Sequence, residues 1–303
     1  MFDSIQPYLK QMLHVDTLNN GSKVNIYLEC SGNKLGIPVI YLHGGPGDRI
    51  TPRLRRLYNP KAYHIILFDQ RGCGQSKPLN HTEKNTTKHL IQDMEQIRHH
   101  LKIDKWVVAG GSWGSSLALL YAQAHPNNVL ALLLRGVYDL SQEDVLDDMY
   151  PEQKDELYHL LHVNKKKQLQ SRINTALSHK TKTRRKLIHL LSDEAPMFVF
   201  TPPKKSSYKE SETLTIIGNH YDSHHYFVPK RTIYDNMHKI SHIPTIMIEG
   251  RYDMITPMKI GYTLSKLLDD CDLTIVQGGH TILEDSMTKA YIKKTNQLIH
   301  RLR

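Results

Sequence analysis

The sequence predicts an α/β fold: a mostly parallel central sheet, helices on both faces and an inserted helical cap. Short apolar runs alternate with segments of helical period over residues 1–138, as they do in repeated strand–helix–strand units. The same alternation resumes over residues 236–303. Residues 139–235 are instead charged, rich in His and Lys, and mostly helical in period. We therefore predict a core of residues 1–138 and 236–303, interrupted by a cap of residues 139–235.

Two kinds of pattern identify the strands. Val24, Ile26 and Leu28 alternate with other residues, as expected for a strand with one buried face. Continuous apolar runs are typical of central strands that are buried on both faces. These runs cover residues 39–42, 65–68, 106–109, 131–134, 244–248 and 273–276.

Helical segments separate the strands. Between residues 90 and 101, apolar residues recur at the spacing of one helix face, and Thr86 or Thr87 is the predicted N-cap. Further helices are predicted at 117–124, 260–268 and 291–302.

Charge and composition limit the partners. The formal charge is +10, but the densest basic run, 165–167, has no interleaved aromatic residues and no helix-turn-helix pattern. A solvated helical face explains it, so we expect no nucleic-acid partner. No run of about 18 apolar residues occurs, so no membrane span is expected. The partner that remains is a small peptide or another small-molecule substrate, and the pattern assigns no oligomeric state.

Cysteine and histidine usage bear on location and on metal binding. The three cysteines are widely spaced, which gives no disulfide framework, and the N-terminus lacks a basic segment followed by an apolar one. A cytoplasmic location is therefore expected. Among the 19 histidines, the tightest group is His220, His224 and His225, with no obvious further ligand and no His-Glu-x-x-His motif. We expect neither a metal nor a cofactor.

Ser112 is the predicted nucleophile. It lies in a Gly-x-Ser-x-Gly motif between a predicted strand and a predicted helix. A sharp turn there needs strained backbone, and Gly110 and Gly114 remove the Cβ atoms that would clash. The N-terminus of the following helix favours developing negative charge near the serine. A glycine-rich turn without catalytic function is the alternative on this motif alone.

Asp253 and His280 complete a predicted catalytic triad. Each follows a predicted buried strand, so both would meet Ser112 at the carboxyl edge of a parallel sheet. The chain order Ser, Asp, His is the order of the α/β-hydrolase fold, which we therefore predict. His280 would take the serine proton, and Asp253 would hold the imidazole. The backbone N–H groups of Gly45 and Trp113 are the predicted oxyanion hole.

Six segments resemble the proline iminopeptidases: 43–47, 68–76, 85–87, 110–136, 250–253 and 279–280. The resemblance covers essentially the whole predicted core. It implies a cytoplasmic serine hydrolase that releases N-terminal proline from peptides without a metal or cofactor. Gly44, Tyr221 and Asp222 are the substrate-binding residues that we predict.

The predicted cap departs from that family. Two cap glutamates are expected to bind the free amino group of the substrate, but Gly218 and Thr201 stand at the two matching positions. Asp222, Glu194, Glu210 and Glu212 are the acids available to replace them. Without a replacement, free and N-acetylated proline amides should differ in kcat/KM by about tenfold or less. An esterase, amidase or lactonase using the same triad is therefore the alternative; a binding protein without activity is disfavoured by the complete triad.

Overall fold

The computed structural model of the protein describes residues 1–140, 151–192 and 206–302. Within them an eight-stranded sheet has the order β1-β2-β4-β3-β5-β6-β7-β8. β2 pairs antiparallel with β1 and β4, and all the other neighbours are parallel. The strands are β1 (Leu9–Thr17), β2 (Lys23–Gly32), β3 (Ile37–Leu42), β4 (Tyr63–Phe68), β5 (Trp106–Ser112), β6 (Val129–Val137), β7 (Thr245–Gly250) and β8 (Cys271–Val276).

A helix is present at each of the four predicted places in the core, but the bounds differ: the helix predicted at 291–302 begins at Asp285, and the one predicted at 260–268 ends at Ser265. Thr86 is the N-cap of the first, and its side chain accepts a hydrogen bond from the N–H of His89. The helices in the described residues are α1 (Thr87–His100), α2 (Trp113–Ala124), α3 (Pro151–Leu161), α4 (Lys166–Ser178), α5 (Lys182–Leu191), α6 (Tyr208–Asp222), α7 (Thr232–Asp235), α8 (Lys259–Ser265) and α9 (Asp285–Arg301), with short 3-10 turns at Pro52–Leu57, Pro126–Asn128, His225–Phe227 and Met237–Lys239.

The central strands of the sheet are buried on both faces, which explains their continuous apolar runs. Along β5, Trp106 and Val108 pack into one core with α1, α2 and α8. Val107 and Ala109 point the other way, into a second core with α9 and the 3-10 turn Pro52–Leu57. Because successive strand side chains face opposite sides, a strand covered on both sides must be apolar at every position. The predicted α/β-hydrolase fold is confirmed.

The edge strand β1 was not predicted. It pairs with β2 only, and none of its side chains is fully buried. Lys10, Met12 and His14 are exposed on one face, and the opposite face is only half-buried. An edge strand of this kind carries no apolar run, so its sequence gives little signal.

The helices between β6 and β7 pack in two ways. α3, α4 and α5 share a small apolar cluster that includes Leu157, Ile173 and Leu187. α6 instead places Ile217 and Tyr221 in the main core beside α2. We propose that residues 139–235 form the cap, with α6 as the element that contacts the sheet edge. Across the described part of the chain, no helix is long and apolar enough to cross a membrane.

Candidate active site

Ser112 lies at the sharp turn between β5 and α2. Its backbone has φ 57° and ψ −131°, a conformation that costs a non-glycine residue about 1–3 kcal/mol. The turn is tight because α2 passes directly over the end of β3. A Cβ atom on Gly114 would clash with the carbonyl oxygen of Leu42. The packing of α2 against β3 fixes this strained backbone and keeps the half-buried serine at the carboxyl edge of the sheet.

Asp253 and His280 form a buried hydrogen-bonded pair. Asp253 Oδ2 lies 2.7 Å from His280 Nδ1 and also accepts a hydrogen bond from Thr256 Oγ1 at 2.9 Å. Asp253 Oδ1 accepts from the N–H groups of Ile255 and Thr256 at 2.9 and 2.8 Å. Burial raises the pKa of Asp253, but His280 and these hydrogen bonds outweigh it and hold the pKa below its ordinary value. The carboxylate therefore stays ionised and fixes the imidazole.

His280 is placed beside the Ser112 turn by the neighbouring strand. β6 bulges opposite the step from Gly111 to Ser112, and Gly136 lies at that bulge. A Cβ atom on Gly136 would be 3.2 Å from the His280 ring. Arg135, from the same strand, packs its guanidinium against Gly111 and donates a hydrogen bond to the carbonyl oxygen of His280. One strand thus contacts the turn before Ser112 and both the ring and the backbone of His280.

The second imidazole nitrogen remains available. His280 Nε2 is buried and forms no hydrogen bond with any described residue, Ser112 included. Since Nδ1 faces Asp253, Nε2 is the nitrogen that can accept a proton. In serine hydrolases without substrate the contact from serine to histidine is often long, and it tightens when substrate binds.

The peptide between Gly44 and Gly45, in the loop after β3, is held by hydrogen bonds to the Gly44 carbonyl oxygen. His43 is buried, and burial lowers its pKa, so the ring is neutral. Its Nε2 accepts from the N–H of Gln70 at 3.0 Å, which leaves Nδ1 to donate to the carbonyl oxygen of Gly44 at 3.1 Å. Asp48 N–H adds a 3.4 Å bond to the same oxygen. Because N–H and C=O point in opposite directions across a trans peptide, the N–H of Gly45 is directed away from this cluster.

Gly44 and Gly45 differ in their contacts and in their exposure to solvent. A Cβ atom on Gly44 would be 3.3 Å from Ser112 Cβ, so the loop runs directly past the serine. Gly45 is exposed and has φ +105°, a backbone conformation that favours glycine.

Trp113, the second predicted oxyanion donor, is the first residue of α2, where helical N–H groups have no partner within the helix. Its buried side chain donates to Gln70 Oε1 at 3.0 Å and packs on Tyr221 and Tyr226. Tyr221 is itself buried, with its hydroxyl bonded to Asn85. Tyr221, a predicted substrate-binding residue, is thus packed in the core against Trp113 with almost no exposure to solvent.

The cap helix α6 contacts the loop after β3. A Cβ atom on Gly47 would be 2.8 Å from the carbonyl oxygen of Thr213. A Cβ atom on Gly218 would meet only the carbonyl oxygen of Pro46, at 3.4 Å. Position 218, where the family pattern expects a glutamate, therefore faces this loop.

The acids expected near the substrate have different environments. Asp222 is exposed at the end of α6, and desolvation by the surrounding protein raises its pKa. Glu210 pairs with Arg49, and Glu212 pairs with Arg184 at 2.7 Å. Thr201 and Glu194 lie outside the described residues.

The histidine-rich end of α6 has an aromatic packing role. His224 stacks on Phe227, and His220 contacts both rings. His220 Nε2 also lies 2.9 Å from the carbonyl oxygen of Asn85. In the part of the chain that the structure describes, no three His, Cys, Asp or Glu side chains are grouped as metal ligands.

Sequence reasoning did not assign three supporting residues of the site. Thr256 bonds Asp253, Arg135 bonds the backbone of His280, and Gln70 bonds both His43 and Trp113. A threonine three residues after an aspartate is a turn pattern that could have indicated the first. Arg135 and Gln70 lie within the segments that carry the family resemblance, although nothing in those segments indicates their contacts.

The fold and these contacts define the class of the protein: an enzyme of the α/β-hydrolase fold. The sequence model of the family described as alpha/beta hydrolase fold matches residues 37–286. Over its whole length, the chain is 35% identical to the full length of a proline iminopeptidase from Neisseria meningitidis serogroup A. It belongs to the proline iminopeptidase family and is a prolyl aminopeptidase-like hydrolase.

Other relatives agree in family and in fold. The chain is 34% identical to a proline iminopeptidase from Arabidopsis thaliana, across 95% of this chain and 79% of the relative. Among solved structures, a bromoperoxidase from Bacillus anthracis matches with a TM-score of 0.67 and 16% identity, covering 97% of this chain and all of the other. An esterase from Exiguobacterium antarcticum matches with a TM-score of 0.62 and 19% identity, covering 97% of this chain and 99% of the other. These two structures share the fold alone.

Proposed function

We propose that the protein releases N-terminal proline from peptides through an acyl-enzyme on Ser112, with His280 as the base and Asp253 as its partner. The observation that carries this proposal is the buried Asp253–His280 pair beside the Ser112 turn, with Nδ1 engaged at 2.7 Å and Nε2 left unpaired among the described residues. In that arrangement the Asp253 carboxylate fixes the tautomer with the proton on Nδ1, so Nε2 is the nitrogen that can accept the serine proton, and it stabilises the imidazolium that then forms.

The reaction follows from these roles. Ser112 Oγ attacks the carbonyl carbon of the N-terminal residue while its proton moves to His280 Nε2. The N–H groups of Gly45 and Trp113 donate to the developing oxyanion. His280 then gives the proton to the leaving amine, and an ester joins the acyl group to Ser112. Water, deprotonated by the same Nε2, attacks this ester; the bond to Ser112 Oγ then breaks, His280 returns the proton to Oγ, and the amino acid is released.

A second candidate function is hydrolysis of an ester or amide whose acyl group carries no free amine. Gly218 is the observation that favours it, because a glutamate expected to bind the amino group is absent there. A lactone substrate would use the same chemistry.

One comparison tests both functions: turnover of proline naphthylamide, of its N-acetylated form and of a short acyl ester. Aminopeptidase function predicts a higher kcat/KM for proline naphthylamide than for its N-acetylated form. If only the ester is turned over, the second function is correct. A fluorophosphonate should label the wild type and the control Ser171→Ala, and should fail to label Ser112→Ala. Labelling that persists in Ser112→Ala would show that the nucleophile is another residue.

A further inference from the structure

Asp48 is a carboxylate at the edge of the site that the reaction above does not use. Its N–H closes a turn onto the carbonyl oxygen of Gly44 at 3.4 Å, and Gly44 lies directly against Ser112. Asp48 is thus anchored one short turn away from the nucleophile.

Asp48 is exposed to solvent, although the protein around it partly desolvates its carboxyl. This desolvation raises the pKa of the carboxyl, and the nearby arginines Arg49 and Arg135 do not offset it. A carboxylate in such a place gains from a cation that enters with the substrate.

The cations near Asp48 are already engaged. The Arg49 guanidinium pairs with Glu210 on α6, and Arg135 donates to the carbonyl oxygen of His280. Among the described residues, Asp48 has no ion-pair partner within 4 Å, and its carboxylate accepts a hydrogen bond from the backbone of Arg49.

The turn that carries Asp48 also faces the position of the missing glutamate. Gly218 faces the carbonyl oxygen of Pro46, two residues before Asp48 in the same turn. A side chain at position 218 would start beside this turn. A carboxylate in this region could therefore come either from the loop, as Asp48, or from the cap helix, as a glutamate at position 218.

We propose that Asp48 binds the protonated amino group of the substrate, in place of the glutamate that Gly218 replaces. The inference rests on the proposed aminopeptidase function and deepens it. The ligand it specifies is the secondary ammonium of an N-terminal proline. It also changes the expected selectivity, because the loop, rather than the cap, would supply the negative charge.

The test measures, within each variant, the ratio of kcat/KM for proline naphthylamide to that for its N-acetylated form. A general loss of activity cancels in this ratio. The wild type should prefer the free amine by more than tenfold. Asp48→Asn should lower the ratio roughly tenfold to hundredfold, mainly through KM, since one charge-assisted contact is lost. The exposed control Asp235→Asn should leave the ratio as in the wild type.

A binding measurement separates this inference from the proposed function. Prolinamide should inhibit ester hydrolysis competitively in the wild type and at least tenfold more weakly in Asp48→Asn, even if naphthylamides are poor substrates. If prolinamide does not inhibit the wild type, no amine site exists and both proposals fail. If the wild type prefers the free amine and Asp48→Asn keeps that preference, only the Asp48 assignment is overturned. Loss of the preference in Asp222→Asn instead would move the role to the cap helix.

Discussion

Replacing Asp253 by asparagine tests the catalytic arrangement most directly. The Oδ1 position accepts two backbone N–H groups, from Ile255 and Thr256, at 2.9 and 2.8 Å. An amide nitrogen there would face two donors and lose both hydrogen bonds, at about 0.5–1.5 kcal/mol each. The asparagine carbonyl should therefore stay at that position, which puts the NH2 group where Oδ2 now faces His280.

The consequence is a change of tautomer. With a donor facing it, His280 Nδ1 must be unprotonated, so the proton moves to Nε2. A protonated Nε2 cannot accept the proton of Ser112. We expect kcat to fall by about 10⁴-fold, the size of effect seen when a triad carboxylate becomes an amide. The fold should persist, because every other contact of the side chain has an isosteric replacement.

Steady-state hydrolysis of proline naphthylamide, with circular dichroism as the check on folding, measures this effect. Asp272→Asn is the matched control, since Asp272 is on β8 and pairs with Lys294, away from the turn of Ser112. Its activity should stay within about twofold of the wild type. If folded Asp253→Asn retained more than a tenth of the wild-type kcat, the proposed role of Asp253 would be wrong.

Three further predictions concern specificity, stability and metal dependence. Gly218→Glu should fold, because a Cβ atom there meets only the carbonyl oxygen of Pro46 at 3.4 Å, and it should raise kcat/KM selectively for free-amine substrates. Hydrogen bonds from Arg98 and Tyr121 outweigh burial and lower the pKa of Glu95 from 4.5 to about 2. Its carboxylate therefore stabilises the fold above about pH 4.5, and this contribution is lost as the pH falls towards 2. Urea unfolding should accordingly show Glu95→Gln less stable than the wild type by about 1–3 kcal/mol at pH 7, with a smaller gap at pH 3.5; an unchanged gap would contradict the assignment. Dialysis against EDTA should leave activity unchanged, and a loss restored by zinc would show that the reaction needs a metal.

The sequence was most informative where burial is complete. Runs such as 106–109 are apolar at every position because both faces of the strand are covered; six strands were predicted from apolar runs and β2 from its alternation. β1 could not be predicted, since its half-buried and exposed residues include no apolar run. The predicted triad rests on a second kind of regularity: each of its residues follows a strand, and parallel strands end at one edge.

The contacts that support the site were beyond prediction for a physical reason. Arg135 reaches the carbonyl oxygen of His280 across 145 residues of sequence, and no local pattern records such a contact. The role that we propose for Asp48 could not be predicted either. It depends on the contact between α6 and the loop after β3, and neither segment indicates that contact by itself.

The contact between Gly47 and α6 limits how this enzyme could be redesigned. Because the helix touches the loop that carries the N–H of Gly45, a bulkier side chain on the face of α6 next to Gly47 would shift that loop and, with it, the proposed oxyanion donor. Such donors act only when they lie about 2.7–3.1 Å from the developing charge. New substrate preferences are therefore best sought on the loop side at Asp48, or at position 218, where the structure leaves space for a side chain. Leu214 and Ile217 lie against Gly47, so if Gly45 is the donor that we propose, larger side chains at these two positions should lower kcat for every substrate.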